Sequence, residues 1–113
     1  MKLKTINRSA ITIIPKKLCM DWTNSFDDGP DNDPKLVIGT TILMPDDYDE
    51  FNYKKFIKKH YKKLFEEQLE SWIRVPDLWP KKRSIKMFKE WFQIIPSDII
   101  LDFGYDEIEQ EDY

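Results

Sequence analysis

The stretch from Asp46 to Ile73 constrains this chain more than any other, because its apolar residues return at steps of three and four. Tyr53, Phe56, Ile57, His60, Tyr61, Leu64, Phe65, Leu69, Trp72 and Ile73 carry the pattern. At 100° per residue the first seven form one stripe, which drifts round the helix by Leu69 and Trp72. An apolar stripe of that length has to be covered, so the rest of the chain must supply a surface for it. Pro45 disfavours helix at Met44, and Asp47 with Glu50 three residues later has the spacing of a capping box, which predicts where the helix begins.

The opposite side of the same helix carries Lys54, Lys55, Lys58, Lys59, Lys62 and Lys63, six of the eighteen Lys and Arg residues in the chain. Asp46, Asp47, Asp49 and Glu50 crowd the expected first turn, where the helix dipole favours them. Lys62 and Lys63 precede Glu66 and Glu67 by four, the weaker order for a helical ion pair, and such pairs contribute only about 0.2–0.5 kcal/mol. The lysines are therefore not placed for stability. Three readings of the row stand: a solvated helix face, a docking face for an acidic protein partner, and a phosphate-backbone contact. A formal net charge of -3 weighs against nucleic acid as a general partner.

Along the chain, Ser9 to Ile14 is β-branched and reads as extended, Pro15 interrupts it, and Lys17 to Thr23 resumes an extended pattern. In that register Leu18, Met20 and Trp22 share one face and Cys19 points to the wetter one. Asn24 to Pro34 is dense in turn formers and carboxylates and reads as a loop. It lacks the glycine at position six and the glutamate at position twelve of an EF-hand, so a solvated loop is expected, with a weak divalent ion as the open alternative. Lys35 to Met44 is a second extended run, apolar on both phases and broken by Gly39, which suits a central strand. After the long helix, Pro76 and Pro80 bracket a hinge in which Trp79 is expected to fold back over the junction between helices. Ser84 caps a second helix, Ile85 to Ile95, stopped by Pro96, and Ser97 to Phe103 forms a last strand before an acidic tail.

These elements predict an α+β fold: a two-layer sandwich with a mainly antiparallel sheet of three or four strands and two helices packed on one face. At 113 residues the chain is expected to be a single domain over residues 1–113, with residues 1–8 and 105–113 as flexible ends. One cysteine excludes an internal disulfide, and neither a signal-peptide pattern nor a membrane-length apolar run is present, so a cytoplasmic location is expected and no membrane partner.

Chemistry-bearing patterns are sparse. His60 is the single histidine and lies inside the apolar stripe, Cys19 has no partner at fixed spacing, and the three glycines belong to no phosphate-binding loop. No catalytic residue, cofactor or metal site is assigned. The aromatic residues Trp22, Trp72 and Trp79 with His60 are the candidate lining of a pocket. Pro15 followed by Asp21-Trp22, the Lys35 to Met44 run ending in Pro45, Trp72, Trp79-Pro80, and Phe88 with Trp91-Phe92 resemble the landmarks of a family of small uncharacterised bacterial proteins. That resemblance implies one domain and carries over no activity. Two function classes follow: a non-enzymatic protein-interaction or accessory protein, acting on an acidic partner or as a homodimer, and a small enzyme or ligand-binding protein with an aromatic pocket.

Overall fold

The computed structural model describes residues 3–26 and 39–113. Its elements are β1 (Lys4–Thr5), β2 (Arg8–Pro15), α1 (Lys17–Asn24), β3 (Thr40–Pro45), α2 (Tyr53–Trp72), a 3-10 turn at Pro76–Leu78, α3 (Ile85–Trp91), β4 (Phe92–Ser97) and β5 (Leu101–Asp102). The α+β reading holds, with three helices rather than two and with the strands divided between two antiparallel sheets.

β2 is the central strand of the larger sheet, antiparallel to β3 on one side and to β4 on the other, with Ile11 opposite both Ile42 and Pro96. Alternation puts Ser9, Ile11 and Ile13 on one face with Ile42, Met44, Phe92 and Ile94 from its neighbours. That face meets the helices, since Ile11, Ile13, Met44 and Phe92 share one buried cluster with Phe56, Ile57, Leu64, Phe65 and Leu69 of α2 and Phe88 and Trp91 of α3. Trp22 packs against the same cluster, so Trp22, Phe56, Leu64, Phe88 and Phe92 do belong to one core.

Four expectations are corrected. Lys17 to Thr23 is helix, not strand: Cys19, Met20 and Thr23 are its buried residues, Leu18 is exposed, and Lys17 reaches Asp21 one turn on at 2.8 Å. The alternation of large residues was real, but the steps of three and four between Cys19, Thr23 and Phe26 allow a helical face as well. Second, β3 lies at the edge of the sheet among the described residues, and β2 takes the central place; Asp27 to Ile38, which includes most of the acidic loop and the start of the expected strand, lie outside those residues. The step into β3 needs Gly39, where a Cβ would lie 2.9 Å from Thr12 Cγ2 and 3.0 Å from the Ile13 carbonyl oxygen.

Third, the second helix ends at Trp91, four residues before the expected stop. Ile95 precedes Pro96 and is thereby biased to extended backbone, and Phe92 to Ser97 gain a full ladder on β2 instead. Pro96 is accommodated because β4 is an edge strand among the described residues. The end of α3 is closed by Lys16, whose backbone N–H donates to the Trp91 carbonyl at 2.8 Å and whose ammonium donates to the Lys89 carbonyl at 3.1 Å.

Fourth, α2 starts at Tyr53, so Asp46 to Glu50 form a turn ahead of it rather than its first turn. A reciprocal pair does precede the helix, displaced by two residues from the expected Asp47 and Glu50. The Asp49 Oδ1 accepts from the backbone N–H of Asn52 at 3.0 Å, and the Asn52 Oδ1 accepts from that of Asp49 at 2.6 Å. The same Asp49 oxygen also accepts from the Phe51 N–H. By contrast, Ser84 caps α3 as its sequence predicts, accepting from the Met87 N–H at 3.1 Å.

β1 and β5 continue the β2–β4 ribbon with a change of register. Ile6 donates to the Ile100 carbonyl and Ala10 pairs with Ser97, leaving Asn7, Arg8 and Ser9 opposite Asp98 and Ile99. One strand thus has an extra residue, a bulge, and Lys4–Thr5, inside the stretch expected as a flexible lead-in, is held by Leu101–Asp102 beyond it.

Two measurements test this account. Phe65→Ala, which empties a fully buried site, should cost about 3–5 kcal/mol in denaturant unfolding, whereas Phe51→Ala, 85% exposed, should stay within about 0.5 kcal/mol. Asp49→Ala should cost roughly 0.5–2 kcal/mol and Asp47→Ala close to nothing; the reverse order would restore the capping box at Asp47.

Candidate functional site

Two surfaces of α2 carry the candidate site. On the first, Lys54, Lys55, Lys58, Lys59, Lys62 and Lys63 are all exposed, and among the described residues none of them pairs with a carboxylate. The row spans ten residues, nine steps of about 1.5 Å or roughly 14 Å along the axis. Because the helix begins at Tyr53, Lys54 and Lys55 stand in its first turn, at the end where the dipole disfavours a cation. Their position is electrostatically unfavourable within the chain and open to an external anion.

The second surface is a groove of about 450 Å³ between α2 and β3, lined by Thr40, Ile42, Phe56, His60, Lys63, Leu64, Glu67, Gln68 and Tyr113. Its floor is apolar through Ile42, Phe56 and Leu64. His60 is half-buried with its ring 4.5 Å from that of Phe56, which suits the packing role its place in the stripe implies. Gln68 is only 5% exposed and its carboxamide makes no hydrogen bond to another described residue. Since no fully buried side-chain nitrogen or oxygen among the described residues lacks a partner, the atoms of that amide must open on the groove. Periodicity alone did not single out Gln68. The signal available was a glutamine within a stripe otherwise apolar, one turn from Leu64.

The structure brings His60 to this groove and leaves the three tryptophans elsewhere. Trp22 contacts Phe26 at 5.4 Å and Trp91 at 5.7 Å between ring centroids. Trp72 is half-buried against the core. Trp79 folds back as its place in the hinge predicts, its indole Nε1 donating to the Ile73 carbonyl at 2.7 Å and closing the end of α2. Arg83 ties the hinge down further, donating to the Pro80 carbonyl at 2.7 Å and pairing with Glu66 at 3.2 Å.

Carboxylates near the bulge are occupied by backbone amides: Asp98 accepts from the Glu50 N–H at 2.8 Å, and Asp49 serves the turn before α2. Among the described residues no three His, Cys, Asp or Glu side chains are grouped as metal ligands would be. The expected exposure of Cys19 is corrected, because in α1 it faces the core and is buried. Burial pushes its thiol from 9.0 up to about 12, against a smaller opposing effect of the Thr23 hydroxyl. A thiol held neutral in this way is no nucleophile at neutral pH. No described helix is long and apolar enough to cross a membrane.

The raised thiol has a consequence for stability. Below pH 9 the group is neutral in both states and its contribution is complete; above that the unfolded chain ionises first, so stability falls as pH rises from 9.0 toward about 12. Cys19→Ala should remove that part of the alkaline decline in unfolding experiments. A disulfide reagent at pH 8 should label Cys19 at least tenfold faster in denaturant than in the native protein, and equal rates would place the thiol at the surface.

No family model, curated protein or solved structure matches the chain.

Proposed function

We propose that this is a small, cytoplasmic, non-enzymatic protein-interaction or accessory protein whose α2 lysine face docks an acidic segment of a protein partner. The observation that carries the reading is the row itself: six exposed ammonium groups on one side of one helix, unpaired among the described residues, two of them at the helix end where they are least favourable. Carboxylates supplied from outside relieve that repulsion at short range. A net charge of -3 over the whole chain weakens the long-range pull on a phosphate backbone, which favours a local acidic surface over nucleic acid. A buried free thiol suits a reducing compartment. The groove beside the lysines supports ligand binding as the second reading, through an apolar floor and the amide of Gln68.

Replacing Lys55, Lys58 and Lys62 together by Glu should abolish binding of a poly-glutamate probe measured at low salt while changing the unfolding free energy by no more than about 1 kcal/mol, because all three are exposed. Binding by the unaltered protein should weaken steadily as salt is raised past the point where the Debye length is about 8 Å. Unchanged binding by the triple variant sinks the proposal, and tighter binding to duplex DNA than to poly-glutamate replaces the partner class.

A further inference from the structure

The groove and the lysine row share Lys63, which stands at the edge of both. A partner segment lying on the lysines therefore has a recess within reach for one side chain. The walls define what that side chain is. Ile42, Phe56 and Leu64 offer an apolar floor, the half-buried His60 ring offers an aromatic wall, and the carboxamide of Gln68, without a hydrogen-bond partner among the described residues, offers N–H donors and a carbonyl acceptor. A phenol ring matches all three, because it is apolar over its body and both donates and accepts at its tip. An aliphatic side chain would leave Gln68 unsatisfied, and a carboxylate, although Lys63 stands at the edge, would be desolvated against the apolar floor with Glu67 in the same lining.

The chain itself holds a segment of this description. Residues 105–113 read Tyr-Asp-Glu-Ile-Glu-Gln-Glu-Asp-Tyr, with five carboxylates between two tyrosines. The structure places Tyr113 at the rim of the groove and of an adjoining depression lined by Glu67, Glu70, Ser71 and Arg74. Its side chain is fully exposed there and does not fill the recess, and among the described residues no ion pair fixes the tail to the lysines.

Resting on the docking face proposed above, we propose that the groove is its anchor subsite and takes the tyrosine ring of an acidic peptide segment. Carboxylates flanking the tyrosine lie along Lys59, Lys62 and Lys63, and the ring enters between Phe56 and Ile42 with its hydroxyl on Gln68. Tyr113 in its acidic tail is a resident competitor for that position.

The test uses the full chain carrying Tyr113→Ala, titrated with a synthetic peptide of residues 105–113 and followed by NMR at the Gln68 side-chain amide and the His60 ring. Saturable shifts at both groups are expected, with binding several-fold tighter than to the unaltered chain. A peptide in which both tyrosines are replaced by Ala should bind roughly tenfold more weakly, as truncation of a buried aromatic anchor does. Gln68→Leu should weaken the tyrosine peptide and leave the alanine peptide unaffected. If both peptides bind equally and only lysine resonances move, the docking face stands and the anchor subsite is overturned. If neither peptide binds, the docking face fails with it. Shifts at Gln68 produced equally by free phenol and by the peptide, with no gain from the flanking carboxylates, would make the groove a small-ligand site and overturn the peptide assignment.

Discussion

The ring of Phe65 is the contact on which the rest of the fold depends. It lies 5.6 Å from Phe88, 5.7 Å from Trp91 and 5.6 Å from Phe92 between centroids, the last perpendicular, so one side chain of α2 touches the end of α3 and the start of β4 together. Each such pair contributes about 0.5–1.5 kcal/mol beyond the area it buries. Phe88 and Phe92 are also in contact at 5.1 Å. The chain passes from helix to strand between Trp91 and Phe92 with both side chains buried, which requires a partner broad enough to accept residues pointing from two kinds of backbone. Phe65 is that partner.

One helix, α2, serves a core and two surfaces. Its buried residues Phe56, Ile57, Leu64, Phe65 and Leu69 join one cluster with the sheet and α3, and Phe65 meets Phe88 and Phe92 there. The lysines lie between Lys54 and Lys63, on the exposed side of the helix. Along another side, from Phe56 to Gln68, α2 runs beside Thr40 and Ile42 of β3, and the space between them is the groove. Basic face and recess are thus neighbours on one helix and meet at Lys63.

Much of this was legible in residue spacing, and what was not has identifiable physical causes. The long helix, the cap at Ser84 and the return of Trp79 over the end of α2 followed from local pattern, because each depends on neighbours within one or two turns, and the common core of Trp22, Phe56, Leu64, Phe88 and Phe92 followed from the need of two apolar stripes for one sheet face. Lys17 to Thr23 misled because large residues alternated over a span too short to separate a period of 2 from one of 3.6, and the packing of Cys19, Met20 and Thr23 and the Trp22–Trp91 contact are made across the fold. The end of α3 depends on pairing with β2, a long-range event that propensity does not see. At the candidate site the lysine row was visible from the start. The role of Gln68 was not, since a buried amide differs from an exposed one only through what packs around it.

The central position of β2 also dictates an order of events. Ala10 pairs with Leu43 on one side and with Ser97 on the other, so the strand at the heart of the sheet is made early and its second neighbour late. On a ribosome adding about 5–20 residues per second, β2 and β3 can meet as a pair while the chain that will form β4 is still being made. During that interval the Ile11 and Ile13 face and one whole edge of β2 stand open, with Phe65 waiting for Phe88 and Phe92. A nascent chain of this design is at its most adhesive in the interval before β4 is available, and pairing over a sequence separation of that size is the slower kind of contact to form.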